Sequence, residues 1–277
     1  MGRGPEVLIP NGIILLDDFQ GLADERTLIA YDPRNRGRSD QSGDGDIHRD
    51  VDDIETVRRH FGIDRIDLIG HSYVGLMVAL YGMKYPGHVN RIVQIGPMQP
   101  VADKKYPAHL TGEDGTMAAV FGKLAQLQKE RQSEDEVEFC RKAWVVLGAL
   151  YVTDPADAWK IDWGRCELPN ERNFLKYWME KMQPSIQRLN IVDEVSKATM
   201  PVLTIHGTRD RNAAYGAGRE WAMMLPDARL VTVEGAAHAP WIEAPERVFW
   251  AVRSFFDGRW PEGAEKVELL DPGVAPN

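Results

Sequence analysis

The feature that most constrains this chain is an alternation. Short apolar runs at residues 6–9, 27–31, 66–69, 91–95, 202–205 and 230–233 are separated by stretches with helical spacing. Several runs are near-continuous Val, Ile and Leu, the pattern of strands buried on both faces. Strands that alternate with helices build a mostly parallel sheet flanked by helices, an α/β fold. The helices can be placed too. In residues 48–61, Val51, Ile54, Val57 and Phe61 share one face, and Gly62 supplies the stop. Stretches 73–85 and 215–225 run up to Pro86 and Pro226. Pro245 suits the first turn of a helix reaching Phe256, with Gly258 beyond it.

The alternation breaks between Pro97 and Met200, where the chain reads helical throughout. Ser133 with Glu136 forms a capping box for a helix through Leu150. Asn170 is placed to cap a second helix around residues 174–181. The expectation is a core made of residues 1–97 and 200–277, with residues 98–199 inserted as a helical cap over its active edge.

Composition removes whole classes of function. A chain of 277 residues that is 43% hydrophobic can bury a sizeable core and is no disordered polymer. Its 33 Lys and Arg against 42 Asp and Glu leave a charge of −9, which repels phosphate backbones and anionic lipid. Nucleic acid and membrane are therefore poor partners. The apolar run at 7–16 is interrupted by Pro10-Asn11-Gly12 and closed by Asp17-Asp18, a poor leader core, so a cytoplasmic location is expected. Cys140 and Cys166 lack both metal spacing and C-x-x-C spacing. Two reduced thiols are expected, with a single disulfide as the alternative.

Chemistry concentrates at three strand ends. Ile69-Gly70-His71-Ser72-Tyr73-Val74-Gly75 lies where a strand gives way to a helix. A serine on such a turn projects its hydroxyl above the sheet, and the next N–H faces the reacting oxygen. His206-Gly207-Thr208-Arg209-Asp210 and Gly235-Ala236-Ala237-His238-Ala239-Pro240-Trp241 each follow a strand, at the carboxyl ends where open α/β sheets bind ligands. The order Ser72, Asp210, His238 is that of a serine nucleophile, a carboxylate and a histidine base on this architecture. Serine needs an imidazole to take its proton, and the carboxylate holds the imidazole tautomer. Asp32, at a neighbouring strand end, is the rival acid.

These segments resemble the α/β-hydrolase fold, and most closely its serine hydrolases of the esterase and proline iminopeptidase-like branch. Tyr31-Asp32-Pro33-Arg34-Asn35-Arg36-Gly37-Arg38-Ser39-Asp40 resembles the segment after that family's early strand, with Asn35 where Gly is usual. Residues 234–246 resemble its histidine loop. The resemblance implies a Ser72–Asp210–His238 triad, no cofactor, and hydrolysis of an acyl or similar bond. It also implies an oxyanion hole built from the Tyr73 N–H and the N–H of Gly12, or of Ile13 after a one-residue shift. The Asn11 amide could donate there or only brace the turn. The family's usual Gly two residues after the serine is replaced by Val74, with Gly75 following. Its opening hairpin is also shortened, which suggests a sheet edge paired in a homodimer.

Other clusters have simpler readings. His48 with Asp50, Asp52 and Asp53 looks like a metal site but suits a helix's acidic first turn, so no metal is assigned. Arg34, Arg36 and Arg38 suit structural ion pairs, with Asp32 and Asp40 nearby, better than an anionic substrate. His71 is read as packing. Trp144, Trp159, Trp163 and Trp178 in the cap permit an apolar pocket. Three functions remain: an esterase acting on small-molecule esters through an acyl-enzyme on Ser72; a proline iminopeptidase-type aminopeptidase, with Glu167, Glu171 or Glu180 holding the free amine; and a non-enzymatic small-molecule receptor on the same fold.

Overall fold

The apolar runs form a six-stranded sheet of parallel strands: β1 (Glu6–Pro10), β2 (Thr27–Tyr31), β3 (Ile66–His71), β4 (Val89–Ile95), β5 (Val202–Gly207) and β6 (Ala228–Val233). The structure is a computed structural model and describes residues 1–43, 45–131, 136–161 and 163–271. Strand order is β2-β1-β3-β4-β5-β6. After β2 the chain returns to the other side of β1, so the order reverses between β1 and β3. Crevices at such a reversal are where these sheets take ligands. Residues 66–71 and 202–207 are buried throughout, as central strands covered on both faces must be.

Each outer strand of the sheet is met by a residue from outside the sheet, Met1 at β2 and Glu265 at β6. The Met1 ammonium donates to Leu28 O at 2.7 Å, and Leu28 N donates to Met1 O at 2.6 Å. At the far side, Leu230 and Glu265 exchange two backbone hydrogen bonds of 2.8 Å each.

Helix α1 (Gly12–Phe19) follows β1 almost at once, in a segment where the sequence reading placed no helix. Asn11 makes the turn with φ 71°, a left-handed conformation asparagine tolerates better than most residues. Gly12 must be glycine for a different reason: a Cβ there would stand 2.8 Å from Ala30 Cβ. Ile14, Leu15 and Phe19 form the buried face of α1. Its shortness hid it, since eight residues give barely two turns of periodicity.

Helices α2 (Ile47–His60) and α3 (Tyr73–Lys84) lie where the spacing places them. Almost every residue of α3 is buried, which makes it the central helix of the core. Between β4 and β5 come α4 (Thr116–Glu130), α5 (Glu136–Gly148) and a series of short turns and helices. Ser133, the expected cap of α5, lies outside the described residues. The second expected helix is broken into Pro169–Arg172, Phe174–Tyr177, a π-helical turn at Trp178–Met182, and Gln183–Gln187. Asn170 does not cap it. Its amide instead donates to the carbonyls of Arg36, Gly37 and Ser39, at 3.4, 3.2 and 2.8 Å. The chain closes its core with α6 (Tyr215–Met224) and α7 (Pro245–Phe256). Among the described residues, no helix is long and apolar enough to cross a membrane.

The cysteines overturn an expectation. Cys140 of α5 and Cys166 are joined in a disulfide, with Cα atoms 5.8 Å apart. Their separation of 26 residues carries no local motif. The fold brings them together by turning the chain after α5 back along that helix.

Candidate active site

Ser72 sits between β3 and α3 with φ 57° and ψ −126°, far from ordinary helix or strand geometry. A non-glycine residue there costs on the order of 1–3 kcal/mol and persists only where its surroundings hold it. They do. Ser72 N donates to Ile95 O at 3.0 Å, and its carbonyl accepts from Gly75 N at 2.9 Å and Met98 N at 3.0 Å. Small residues make the turn possible. A Cβ on Gly70 would lie 2.4 Å from Val74 O, and one on Gly75 would lie 3.0 Å from Pro97 Cβ. Gly75 thus provides close approach one residue later than the family's usual glycine.

Asp210 and His238 are brought together directly. His238 Nδ1 lies 2.7 Å from Asp210 Oδ2, with both residues buried. Asp210 is satisfied on every side. Its Oδ1 accepts from Asn212 N at 2.8 Å and Ala213 N at 2.9 Å, and His206 Nε2 is 3.1 Å from Oδ2. Burial pushes its carboxyl up, but the charge of His238 and the hydrogen bonds from His206 and His238 outweigh it and hold the pKa well below the usual range. The carboxylate is therefore ionised and aimed at the imidazole. Ser72 Oγ makes no hydrogen bond among the described residues, so the serine shares the strand-end platform with His238 without being joined to it here. Such contacts often tighten only when substrate binds.

Asp32, the rival acid, is spent elsewhere. Its Oδ1 accepts from Ile13 N at 2.7 Å and its Oδ2 from Arg38 N at 3.1 Å. This settles one alternative: the Ile13 N–H is engaged and unavailable to a substrate oxygen. Gly12 and Tyr73 each open a helix, so neither N–H has an intrahelical partner. The Asn11 side chain makes no capping bond, and its Oδ1 is buried without a partner. What braces the turn is the Asn11 carbonyl, which accepts from Ile14 N and Leu15 N at 3.1 Å each.

Tyr151 and Glu243, which sequence reasoning passed over, hold the histidine in place together with His71, which was read as packing. Tyr151 stands 5.4 Å from the His238 ring, and its carbonyl accepts from Ala239 N at 2.9 Å. Glu243 bridges the same two segments, accepting from Ala237 N at 2.6 Å and Thr153 N at 2.7 Å. His71 packs 4.4 Å from His238 and donates through Nε2 to its carbonyl at 3.0 Å. Burial and the neighbouring His238 push the His71 pKa well down, which keeps it neutral as packing requires. The indoles of Trp163 and Trp241 both donate to Asp18 Oδ2, at 3.2 and 3.0 Å, which ties α1 to this wall. His206 lies within β5, four residues before Asp210, so it is the strand that aims its ring at the carboxylate.

Arg34 and Arg36 form ion pairs, though with other partners than expected, whereas Arg38 is exposed and meets Asp32 only through its backbone N–H. Arg34 meets Asp53 at 2.7 Å, with Asp50 at 3.6 Å. Arg36 meets Glu171 through two bonds of 2.9 Å. Glu171 is thereby removed as an amine holder. The acidic residues of α2 diverge: Asp52 turns to Lys84 and Tyr85, while Asp53 turns to Arg34.

A parallel sheet with this strand order carries a serine on a strained strand-to-helix turn and a buried Asp–His pair at adjacent strand ends, the class of an α/β protein with its polar groups gathered at one edge of the sheet. The chain belongs to the α/β-hydrolase fold family, whose model matches residues 17–245. It is 27% identical over 225 residues to a bifunctional esterase/perhydrolase of Acinetobacter calcoaceticus, covering 76% of this chain and 74% of that protein. It is 24% identical to a proline iminopeptidase of Heyndrickxia coagulans, with 92% of each chain covered. Among solved structures, an esterase from Exiguobacterium antarcticum superposes with a TM-score of 0.71 over 93% of each chain at 17% identity. That last likeness speaks to the fold.

Proposed function

We propose that this protein is a cofactor-free serine hydrolase, a carboxylesterase that cleaves small esters through an acyl-enzyme on Ser72. The observation that carries the reading is the buried 2.7 Å contact of Asp210 with His238, beside a serine held at positive φ. Asp210 fixes the Nδ1–H tautomer and leaves Nε2 to take the Ser72 proton. Ser72 Oγ attacks the ester carbonyl, and the oxygen gains charge in the tetrahedral transition state. The Tyr73 and Gly12 N–H groups receive it, aided by the N-terminus of α3. His238 then returns the proton to the leaving alcohol, and water repeats the cycle on the acyl-enzyme.

Residues 98–199 serve as the cap in this reading. They contribute Tyr151 and Trp163 to the wall around His238. The esterase named among the relatives favours an ester substrate. The proline iminopeptidase among them keeps an arylamide in the assay, although Glu171, one of the acids such an activity would use, is committed to Arg36.

Labelling with a fluorophosphonate tests the assignment. The expected result is one adduct, on Ser72, absent from Ser72→Ala, with nitrophenyl esters turned over and proline arylamide left intact. Labelling that survives in Ser72→Ala would place the nucleophile elsewhere. Stoichiometric binding with no turnover of any ester would favour a receptor.

A further inference from the structure

Asp210 is held by two imidazoles. Its Oδ2 lies 2.7 Å from His238 Nδ1 and 3.1 Å from His206 Nε2. His206 Nε2 is also 3.0 Å from Ala213 O. A backbone carbonyl and an ionised carboxylate can only accept, so this nitrogen carries a proton and shares it between the two oxygens. The other ring nitrogen, His206 Nδ1, is buried without a hydrogen-bond partner. A proton there would go unbonded, which a buried site disfavours, so the ring is assigned the Nε2–H tautomer.

Packing holds that ring against the carboxylate. The side chains of His206 and Asp210 are both 0% exposed. His206 pairs in register with Thr232 of β6, which fixes its backbone. The Tyr215 ring meets it edge-on at 5.9 Å. Gly218 of α6 stands behind it: a Cβ there would lie 2.3 Å from His206 Nδ1. At the other end, a Cβ on Gly96 would lie 3.1 Å from Asp210 Oδ2 and 3.2 Å from His238 Nδ1. Two glycines thus make room for one line of groups, His206, Asp210 and His238.

The Asn212 and Ala213 amides anchor Asp210 Oδ1, one half of the carboxylate. Without His206, the other half would be set only by the ring it is meant to hold. As His238 takes the Ser72 proton, its Nδ1–H draws more strongly on Oδ2. The His206 proton can then lean toward Ala213 O and keep a partner throughout.

We propose that His206 is a positioning residue for the reaction at Ser72, holding Asp210 Oδ2 for His238 through a proton that it shares with Ala213 O. It touches neither substrate nor reacting atoms and acts through Asp210. The proposal rests on the serine-hydrolase reading.

The sign of its effect on pH dependence follows. The titratable groups facing His238 are Asp210, His71 and Tyr151. Burial pushes His71 well down and Tyr151 up to about 12, so both stay uncharged and Asp210 carries the charge. Removing the His206 donor leaves the whole of Oδ2 to His238, which favours the imidazolium. The acidic limb of kcat/KM then moves to higher pH.

Two variants test this. His206→Phe keeps a ring and removes the donor, whereas His206→Gln keeps a donor at the reach of Nε2. Turnover of a nitrophenyl ester and fluorophosphonate labelling of Ser72 are followed across pH, beside thermal melts. His206→Phe should lower kcat by at least ~10-fold, the size of one hydrogen bond to a charged group, with KM little changed and the acidic limb raised. His206→Gln should restore the native limb and most of kcat. An unmoved limb in His206→Phe, with only the melting temperature lowered, would make His206 a structural residue and overturn the proposal. Histidine ¹⁵N NMR of the unsubstituted chain needs no variant to fold: a protonated Nε2 is expected at His206, and a bare Nε2 would overturn the role. If the native chain neither hydrolyses esters nor is labelled at Ser72, the hydrolase reading falls and this one with it. Labelling with an unmoved limb removes the positioning role alone.

Discussion

The Arg36 guanidinium and the Glu171 carboxylate meet face to face, two bonds of 2.9 Å, with side chains 1% and 0% exposed. Glu171 Oε1 also accepts from Gly37 N at 2.8 Å, and Phe174 lies 3.9 Å beneath the guanidinium. This pair fastens the helical segment to the loop after β2. Removing one partner strands a buried charge, so Glu171→Ala should cost about 3–5 kcal/mol. Lys84→Ala, which breaks the half-exposed pair with Asp52, should cost under about 1 kcal/mol. Denaturant unfolding of the two variants checks the contrast; equal costs would contradict it.

Asp210→Asn should lower kcat by a factor on the order of 10³–10⁴, since the amide cannot hold the Nδ1–H tautomer. Asp32→Asn should act on stability instead, because its carboxylate braces the Ile13 and Arg38 amides. Steady-state kinetics beside thermal melts separate the two. A harmless change at 210 with a crippling one at 32 would reverse the roles.

Asp50 should make stability fall as pH rises. Its folded pKa is raised by burial from 3.8 to about 7. Its stabilising contribution is therefore complete below the unfolded pKa and is lost as pH climbs through about 7. Linkage puts the swing at roughly 4 kcal/mol at most. Asp50→Asn should flatten the curve between pH 4 and 8. Asp210 acts in the opposite sense. Its lowered pKa adds stability above its unfolded value, and that stability disappears in strong acid. Urea midpoints across pH, measured for both variants, would show the two slopes.

Breaking the Cys140–Cys166 bridge with Cys140→Ser should cost about 3.5 kcal/mol, the loop entropy of a 26-residue separation. A melt with and without reductant should show the same loss in the native chain and none in the variant.

Gly12→Val should lower kcat more than it weakens binding of a neutral substrate analogue. The new Cβ would meet Ala30 Cβ at 2.8 Å and Tyr31 N at 3.3 Å, displacing the start of α1 and with it the proposed N–H donor. A tetrahedral adduct on Ser72 whose oxygen lies out of reach of Gly12 N would place the hole elsewhere.

What could be read from sequence followed from periodicity and turn chemistry. The strands are buried apolar runs, and the Ser72, Asp210 and His238 positions follow strands, so local pattern located them. Asn35 illustrates the same logic: it stands where glycine is usual because its φ is 62°. What escaped depends on long-range folding. Arg36 and Glu171 are 135 residues apart, Ala239 meets Tyr151 from another segment, and Cys140 meets Cys166 only once the chain doubles back. Helix α1 escaped for the opposite reason, being too short to declare its own period.

The bonds from Met1 to Leu28 and from Glu265 to Leu230 bear on how this protein behaves when crowded. An open parallel sheet ends in two rows of unsatisfied amides, and such rows recruit strands from other molecules. Here Met1 occupies part of one row and Glu265 part of the other, so a strand arriving from outside must first displace them. Self-association by lengthening the sheet would begin with that displacement. Trimming Met1 and Gly2 would expose the outer side of β2 at Leu28 and Thr27, and should be felt first as precipitation at high concentration, before any loss of the buried chemistry.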